Sequence, residues 1–193
     1  MTDKTSHPAG DDRKIRLSSP AGQPPEGEAL PSCGDFDIRI ARDGTWFYQG
    51  SPIGRKALVK LFASVLRCEA DGEYWLVTPV ERGRVIVDDA PFTAVELDAS
   101  GGGSAQVLRF RTNVDDWVEA DRDHPIRVSQ APESGGPSPY ILVRDRLEAL
   151  IVRAVYYDLV ELGVEDGIAG DAAYGVWSGG VFFPLGEAGI AEG

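Results

Sequence analysis

Histidine and cysteine are scarce in this chain: 193 residues carry two of each, His7 and His124, Cys33 and Cys68. Zinc sites need clustered thiolates and imidazoles, and no Cys-x-x-Cys is present, so that chemistry is excluded. A disulfide framework needs more cysteines in a shorter chain, so Cys33 and Cys68 are read as free thiols of a reducing compartment. Long apolar runs are also missing. The longest uncharged stretch, Ala172–Gly186, has 15 residues, short of the roughly 20 that span a bilayer. Its glycines and Pro184 suit turns. Met1 to Arg16 holds no apolar stretch of signal-peptide type. These absences lead to the expectation of a cytoplasmic protein without a membrane segment.

Positive charge is the third shortage. Nineteen Lys and Arg stand against 31 Asp and Glu, a formal net charge of −12. Phosphate binding runs on clustered Lys and Arg, so nucleic acid is not an expected partner, and anionic lipid is disfavoured for the same reason. Hydrophobic residues make up 42%, and a chain of this length buries roughly 70% of its unfolded surface. A real core is therefore expected.

Residues 1–34 contain no aromatic residue, yet hold five of the 13 prolines, with four basic and five acidic residues intermixed. Such a segment buries too little apolar area to offset its ordering entropy, and it reads as a flexible tail. It accounts for one unit of the net charge, so the remainder carries about −11.

From Phe36 the pattern changes. Asp37-Ile38-Arg39-Ile40-Ala41-Arg42 alternates apolar and charged, the period of a strand with one wet face. Asp43-Gly44 signals a hairpin turn into Trp46-Phe47-Tyr48. Ser51 reads as an N-cap with Pro52 in the first turn of a helix. In that helix Leu58, Leu61, Phe62 and Val65 share a face, and it stops near Arg67 or Cys68. Tyr74–Val80 and Arg84–Val87 follow as strands about a turn at Glu81-Arg82-Gly83. The middle is strand-like: Phe92–Leu97, Val107–Arg111, Asp115–Trp117 and Ile126–Ser129, with a polar loop at 131–139. The glycine run 101–103 lacks the Lys-Ser/Thr of a P-loop and reads as a hairpin loop. Tyr140–Val143 is a buried strand that runs into the longest helix, where Leu147, Ile151, Ala154, Val155, Leu159 and Leu162 share a face and Gly163 ends it. Tyr174–Trp177 and Val181–Leu185 form a closing hairpin.

Strand, helix and hairpin thus occur twice, and each hairpin after a helix opens on a tyrosine, Tyr74 and Tyr174. Duplication and coincidence account for this equally well. The fold class is α+β: two similar small subdomains, each of antiparallel hairpins packed on one helix. They are placed at residues 35–82 and 83–190, after the tail 1–34.

Chemistry is thin. Asp88-Asp89 and Asp115-Asp116 are adjacent acids of the kind that usually stay solvated at strand ends, so no metal is expected. Cys68, at a helix C-terminus, would have a raised thiol pKa. Ser178 lacks the Gly-x-Ser-x-Gly setting, and His124 stands as the usable base. Arginines carry more, because a cleft-facing guanidinium selects anions by bidentate bonding. Arg39 and Arg42 lie on the wet face of the first strand and Arg127 in a late strand. Arg144 is placed at the start of the long helix, where backbone N–H groups also attract anions. The plain alternative is that each pairs with a nearby Asp or Glu.

A resemblance sharpens this. Cys33–Ile40, Asp43–Tyr48 and Ser51-Pro52-Ile53 look like the opening of an uncharacterised proteobacterial family, the domain of unknown function numbered twelve eighty-five. Thr78–Glu81, Val87–Phe92, Thr112–Asp116, His124–Arg127, Pro139–Arg144 and Gly180–Gly186 continue the likeness in unbroken order over about residues 33–187. The tail departs from it. The resemblance implies a duplicated α+β core and a second half superficially similar to pleckstrin-homology-like folds. It also implies a site between the halves for a nucleotide-based molecule, and a role in signal transduction. No activity and no cofactor carry over.

Three readings follow. The first is a non-enzymatic sensor that binds a nucleotide-like anion between the halves. In it Arg39, Arg127 and Arg144 are the anion contacts, Thr78, Asn113 and His124 supply neutral polar contacts, and Trp177 offers a stacking surface. The second is a hydrolase using Asp89, Glu81 or His124. The third is a protein-interaction module in which exposed strands do the work. Scattered arginines, each paired with an acid, would count against the first.

Overall fold

The alternation after Phe36 becomes β1 (Ser32–Ile40), with Ile38 and Ile40 buried and Arg39 exposed between them. The computed structural model describes residues 32–130, 136–166 and 173–187, so all but the last three residues of the expected tail, 1–34, lie outside the described residues. The Asp43-Gly44 turn leads into β2 (Trp46–Tyr48), as its residues require, with Gly44 at φ +82°.

Ser51 and Pro52 do not start a helix. They form β3 (Ser51–Pro52), paired with Tyr48 and Phe47. Proline lacks an N–H and is as acceptable on an edge strand as in a first helical turn. The helix α1 (Lys56–Ser64) begins after Gly54-Arg55 and ends before Cys68. Its Phe62 stacks on Trp46, with centroids 6.4 Å apart. A meander follows: β4 (Leu66–Cys68), β5 (Tyr74–Val77) and β6 (Arg82–Val87). The turn lies at 78–81, because Thr78 Oγ1 accepts the Glu81 N–H and donates to the Glu81 carbonyl. β6 then pairs in parallel with β1, closing a six-stranded sheet in the order β3-β2-β1-β6-β5-β4. This first half runs to Val87, past residue 82.

The second half is also sheet-rich. Its strands are β7 (Phe92–Ser100), β8 (Val107–Thr112), β9 (Trp117–Glu119), β10 (Ile126–Gln130), β11 (Pro137–Arg144) and β12 (Leu147–Ile151). The glycine run is the β7–β8 hairpin connection, tightened by a 3-10 turn at Gly103–Ala105. The sheet order is β10-β11-β12-β7-β8-β9, with β12 and β7 parallel. Helix α2 (Arg153–Glu161) follows, then β13 (Val164–Asp166), β14 (Ala173–Ser178) and β15 (Val181–Glu187) as a three-stranded sheet.

The expected long helix after Val143 is corrected here. Residues 147–151 are a strand with Leu147, Ala149 and Ile151 buried, and only residues 153–161 are helical. Leu147 and Ile151 are four apart, a spacing that fits one helix face and one strand face alike. The reversal at Asp145, with φ +48°, settles it by starting an antiparallel strand.

The architecture is α+β in two sheet-rich halves, each with one nine-residue helix followed by three antiparallel strands. A single apolar core runs through both, with Trp46, Phe92 and Phe110 among its fully buried side chains. Each such residue contributes about 1.5–3 kcal/mol of burial. No helix among the described residues is long and apolar enough to cross a membrane.

Candidate functional site

The arginines were expected to converge. Arg39, on β1, forks onto Asp88 with Nε 2.8 Å from Oδ1. Arg127, on β10, forks onto Glu148 of β12, with Nε 2.6 Å from Oε1, and its guanidinium lies 4.2 Å from the Tyr140 ring centroid. These hydrogen bonds raise both guanidinium pKa values further above the ordinary range. Bidentate pairing satisfies charge and geometry on both partners. Arg39 and Arg127 are therefore matched in place, on different sheets, and the structure does not bring them together with Arg144.

Arg144 differs. It ends β11 and does not open a helix, so the anion-attracting helix start expected there is not formed. Its Nη2 donates to the carbonyl oxygen of Ala63 at 2.6 Å, in the last turn of α1. Its Nη1 lies 3.8 Å from Asp116 Oδ2, and its guanidinium stands 5.3 Å from the Phe92 ring centroid. A cation at a helix C-terminus complements the helix dipole, and here it ties the second half to the first.

Beside Arg144 the chain leaves a cleft of about 470 Å3. One wall is residues 116–119, the other is Val143 and Arg144, and Asp121 and His124 come from the loop between β9 and β10. No residue of β7, β8 or β12 lines it, although these strands separate β9 from β11 along the sheet. The cleft is therefore a seam between an edge strand and the end of β11, left where the sheet curls. Trp117 is 43% exposed, whereas Val118 and Val143, at 7% and 8%, form the apolar floor. Asp116, Glu119 and Asp121 face one guanidinium and one imidazole, so the seam is acid-rich.

Within the loop, Asp121 Oδ1 accepts the backbone N–H groups of Asp123 and His124 and lies 3.0 Å from His124 Nδ1. Burial pushes the Asp121 carboxyl up, but these hydrogen bonds more than offset it and hold it below the usual carboxylate value. His124 is thereby oriented by its own loop.

The other expected contacts are structural in position. Thr78 closes the β5–β6 turn. Asn113 spans the halves: its Oδ1 accepts the Thr93 N–H at 3.2 Å, and its Nδ2 donates to the Gly44 carbonyl at 3.1 Å. Trp177, on β14, tilts against Phe182 at 5.5 Å, and its carbonyl accepts Gln106 Nε2 at 2.9 Å. Of the seven candidates, His124 and Arg144 share the cleft.

The sequence names Arg42, Asp89 and Asp115 but not the pairings that fasten the halves. Lys56 and Lys60 of α1 reach Asp115 at 2.6 and 3.5 Å, and Arg111 reaches it at 3.1 Å. Asp89 accepts from Tyr140 at 2.7 Å and lies 3.0 Å from Arg42. Lysine at i and i+4 of a helix marks one face, but nothing local names Asp115 as its partner.

The geometry for acyl or metal chemistry is absent from the described residues. Ser178 is fully buried, and its hydroxyl is held by Leu108 and Ala120. Cys68 lies in β4 and not at a helix end, and burial is what pushes its thiol up. No group of three or more His, Cys, Asp or Glu is arranged to hold a metal among the described residues.

Comparison with known families matches residues 25–90 to "Domain of unknown function (DUF1285), N-terminal domain" and residues 91–185 to "Protein of unknown function (DUF1285), C-terminal domain". A crystal structure of a DUF1285 family protein from Silicibacter pomeroyi DSS-3 is 50% identical, over 83% of this chain and 85% of that one, with a TM-score of 0.78. A DUF1285 family protein from Shewanella baltica OS155 is 31% identical, over 64% of this chain and 90% of that one, with a TM-score of 0.51. No curated protein matches the chain.

Proposed function

The chain belongs to the DUF1285 family, whose function is unknown, and we propose that it acts there as a non-enzymatic interaction module in signalling, with the seam beside β9 as its binding surface. The observation that carries this is the pairing of the arginines. Arg39 and Arg127 are each spent on a carboxylate, and the cleft that holds Arg144 also holds three carboxylates. A multiply charged phosphate would meet repulsion both there and from the net charge of −12.

The curled sheet followed by α2 supports the pleckstrin-homology-like comparison, and such sheets serve as binding platforms. The free thiol of Cys68 is in keeping with a cytoplasmic setting.

A second reading keeps a small ligand in the same cleft, with a single anionic group on Arg144 and a planar ring on Trp117. It is favoured by the cleft volume of about 470 Å3, which lies in the small-molecule range. A thermal-shift panel of nucleotides and cyclic dinucleotides separates the two. A ligand at 100 times its Kd adds about 2.7 kcal/mol of stability. The interaction reading expects no shift from the panel, and expects binders from a random peptide library that quench Trp117 fluorescence. A nucleotide shift abolished by Arg144→Gln would establish the small-ligand reading instead.

A further inference from the structure

β9 is the edge of its sheet, paired with β8 alone. The Thr112 N–H donates to the Asp116 carbonyl at 2.8 Å, and the Ala120 N–H donates to the Leu108 carbonyl at 2.9 Å. Main-chain groups alternate in direction along a strand, so residues 116, 118 and 120 address β8. Those of Trp117 and Glu119 point the other way, into the seam.

On the β8 side, the last rung of the ladder is completed by a side chain from β14. Ser178 seats its hydroxyl on the Ala120 carbonyl, and the Gly179 N–H donates to the Gln106 carbonyl at 3.0 Å. Among the described residues, no strand pairs with the other side of β9, at Trp117 and Glu119. Exposed edges are blunted by shortness, charge, proline or a bulge; β9 is short and carries Glu119, but has neither a proline nor a bulge.

The seam is also polarised. Arg144, fixed by the Ala63 carbonyl, puts the positive charge at the Asp116 end. Glu119 and Asp121 make the other end acidic, with Val118 and Val143 as a dry floor between.

From this we propose that β9 is a docking strand, onto which an extended, basic segment of a partner protein adds as a further strand of the sheet. Main-chain bonds to Trp117 and Glu119 would supply the pairing, alternate apolar side chains would cover Val118 and Val143, and Lys or Arg would meet Glu119 and Asp121. The inference rests on the seam being the binding surface.

The test uses the full chain and labelled peptides from the random library, together with two fixed probes, Lys-Val-Thr-Val-Lys-Val-Thr and its Lys→Glu counterpart. The expected result has four parts. Library binders are enriched in Lys and Arg. The lysine probe binds at least about tenfold more tightly than the glutamate probe at low salt, a difference that shrinks as screening rises. Amide exchange slows at Trp117 and Glu119. N-methylation of the peptide abolishes binding at every second residue only, since one edge of a strand does the pairing.

Glu119→Gln should weaken the lysine probe several-fold. Glu119→Pro, which also removes an outward N–H while sparing the bonds to β8, should abolish binding. The N-methyl scan gives the same answer without any change to the protein. Peptides that bind the seam with no charge preference, no periodic N-methyl effect and unchanged exchange at Trp117 and Glu119 overturn the docking strand and leave the interaction reading standing. A library that yields no seam binder overturns both.

Discussion

The Ser178 hydroxyl donates to the carbonyl oxygen of Ala120 at 2.5 Å, and the Ser178 hydroxyl oxygen accepts the Leu108 N–H at 2.9 Å. Leu108 and Ala120 would otherwise complete the β8–β9 ladder, since the Ala120 N–H already donates to Leu108. A side chain from β14 is thus inserted as the last rung. It pins the closing hairpin to the sheet.

Ser178→Ala leaves a buried N–H and a buried carbonyl without partners. Each unmet group costs about 1–3 kcal/mol. Urea unfolding of this variant should show a loss in that range, with its midpoint lowered and its slope unchanged. Amide exchange of Leu108 should rise with it.

Gly44 and Gly50 offer a paired comparison. Both have positive φ, +82° and +75°. A Cβ on Gly44 would stand 2.6 Å from Asn113 Nδ2 and 3.0 Å from Thr93 Oγ1, whereas one on Gly50 meets nothing. Left-handed backbone costs an alanine about 1–2 kcal/mol in either place. Gly50→Ala should lose only that amount. Gly44→Ala should lose clearly more, by displacing the Asn113 clasp, and Asn113→Ala in the same chain should cost less than it does alone.

Acid should loosen the join between the halves. The Lys56 ammonium beside Asp115 holds its carboxyl below the reference value of 3.8. A depressed folded pKa contributes stability that is present above the unfolded value and lost as pH falls through the folded one. The join is therefore intact above about pH 4 and weakens below it. Asp115→Asn should be less stable than the parent at pH 6, with the gap closing towards pH 2.5, as read by thermal melts across that range.

Alkali acts through tyrosine. Burial pushes the Tyr74 hydroxyl up to about 12, and the Tyr140 and Tyr156 hydroxyls are raised as well, chiefly by burial. Because the folded values exceed the ordinary value of 10, the neutral phenols stabilise the fold fully below that pH, and this contribution fades as pH rises through the folded values. Tyrosinate absorbance should appear in two stages, with Tyr74 in the later one. Tyr74→Phe should remove a late-titrating group and flatten the fall in stability between pH 10 and 12.

Much of the fold was legible because its signals are local. Ile38 and Ile40 alternate with charge, Asp43-Gly44 turns the chain, and the residues about Ser178-Gly179-Gly180 form the closing hairpin as read. Misreadings fell where two periods coincide. Leu147 and Ile151 satisfy a helix and a strand equally, and Ser51-Pro52 serves a cap or an edge.

The site was less legible. Arg39 finds Asp88 49 residues away, and Arg144 finds the Ala63 carbonyl 81 residues away. No spacing in the chain encodes such partners. His124 and Arg144 are legible as a neutral polar contact and an anion contact, whereas the three carboxylates that line the cleft with them are not.

By itself the sequence determined an acidic chain with an alternating, turn-punctuated pattern, a core in two sheet-rich halves, and too few soft ligands for zinc. These follow from composition and from side-chain periods that reach only a few residues. The tertiary structure alone decided which arginines are neutralised and which strands lie at sheet edges. Both depend on strand order. The parallel pairings of β1 with β6 and of β12 with β7 bring distant segments side by side, and charges pair and edges close only between neighbours in space.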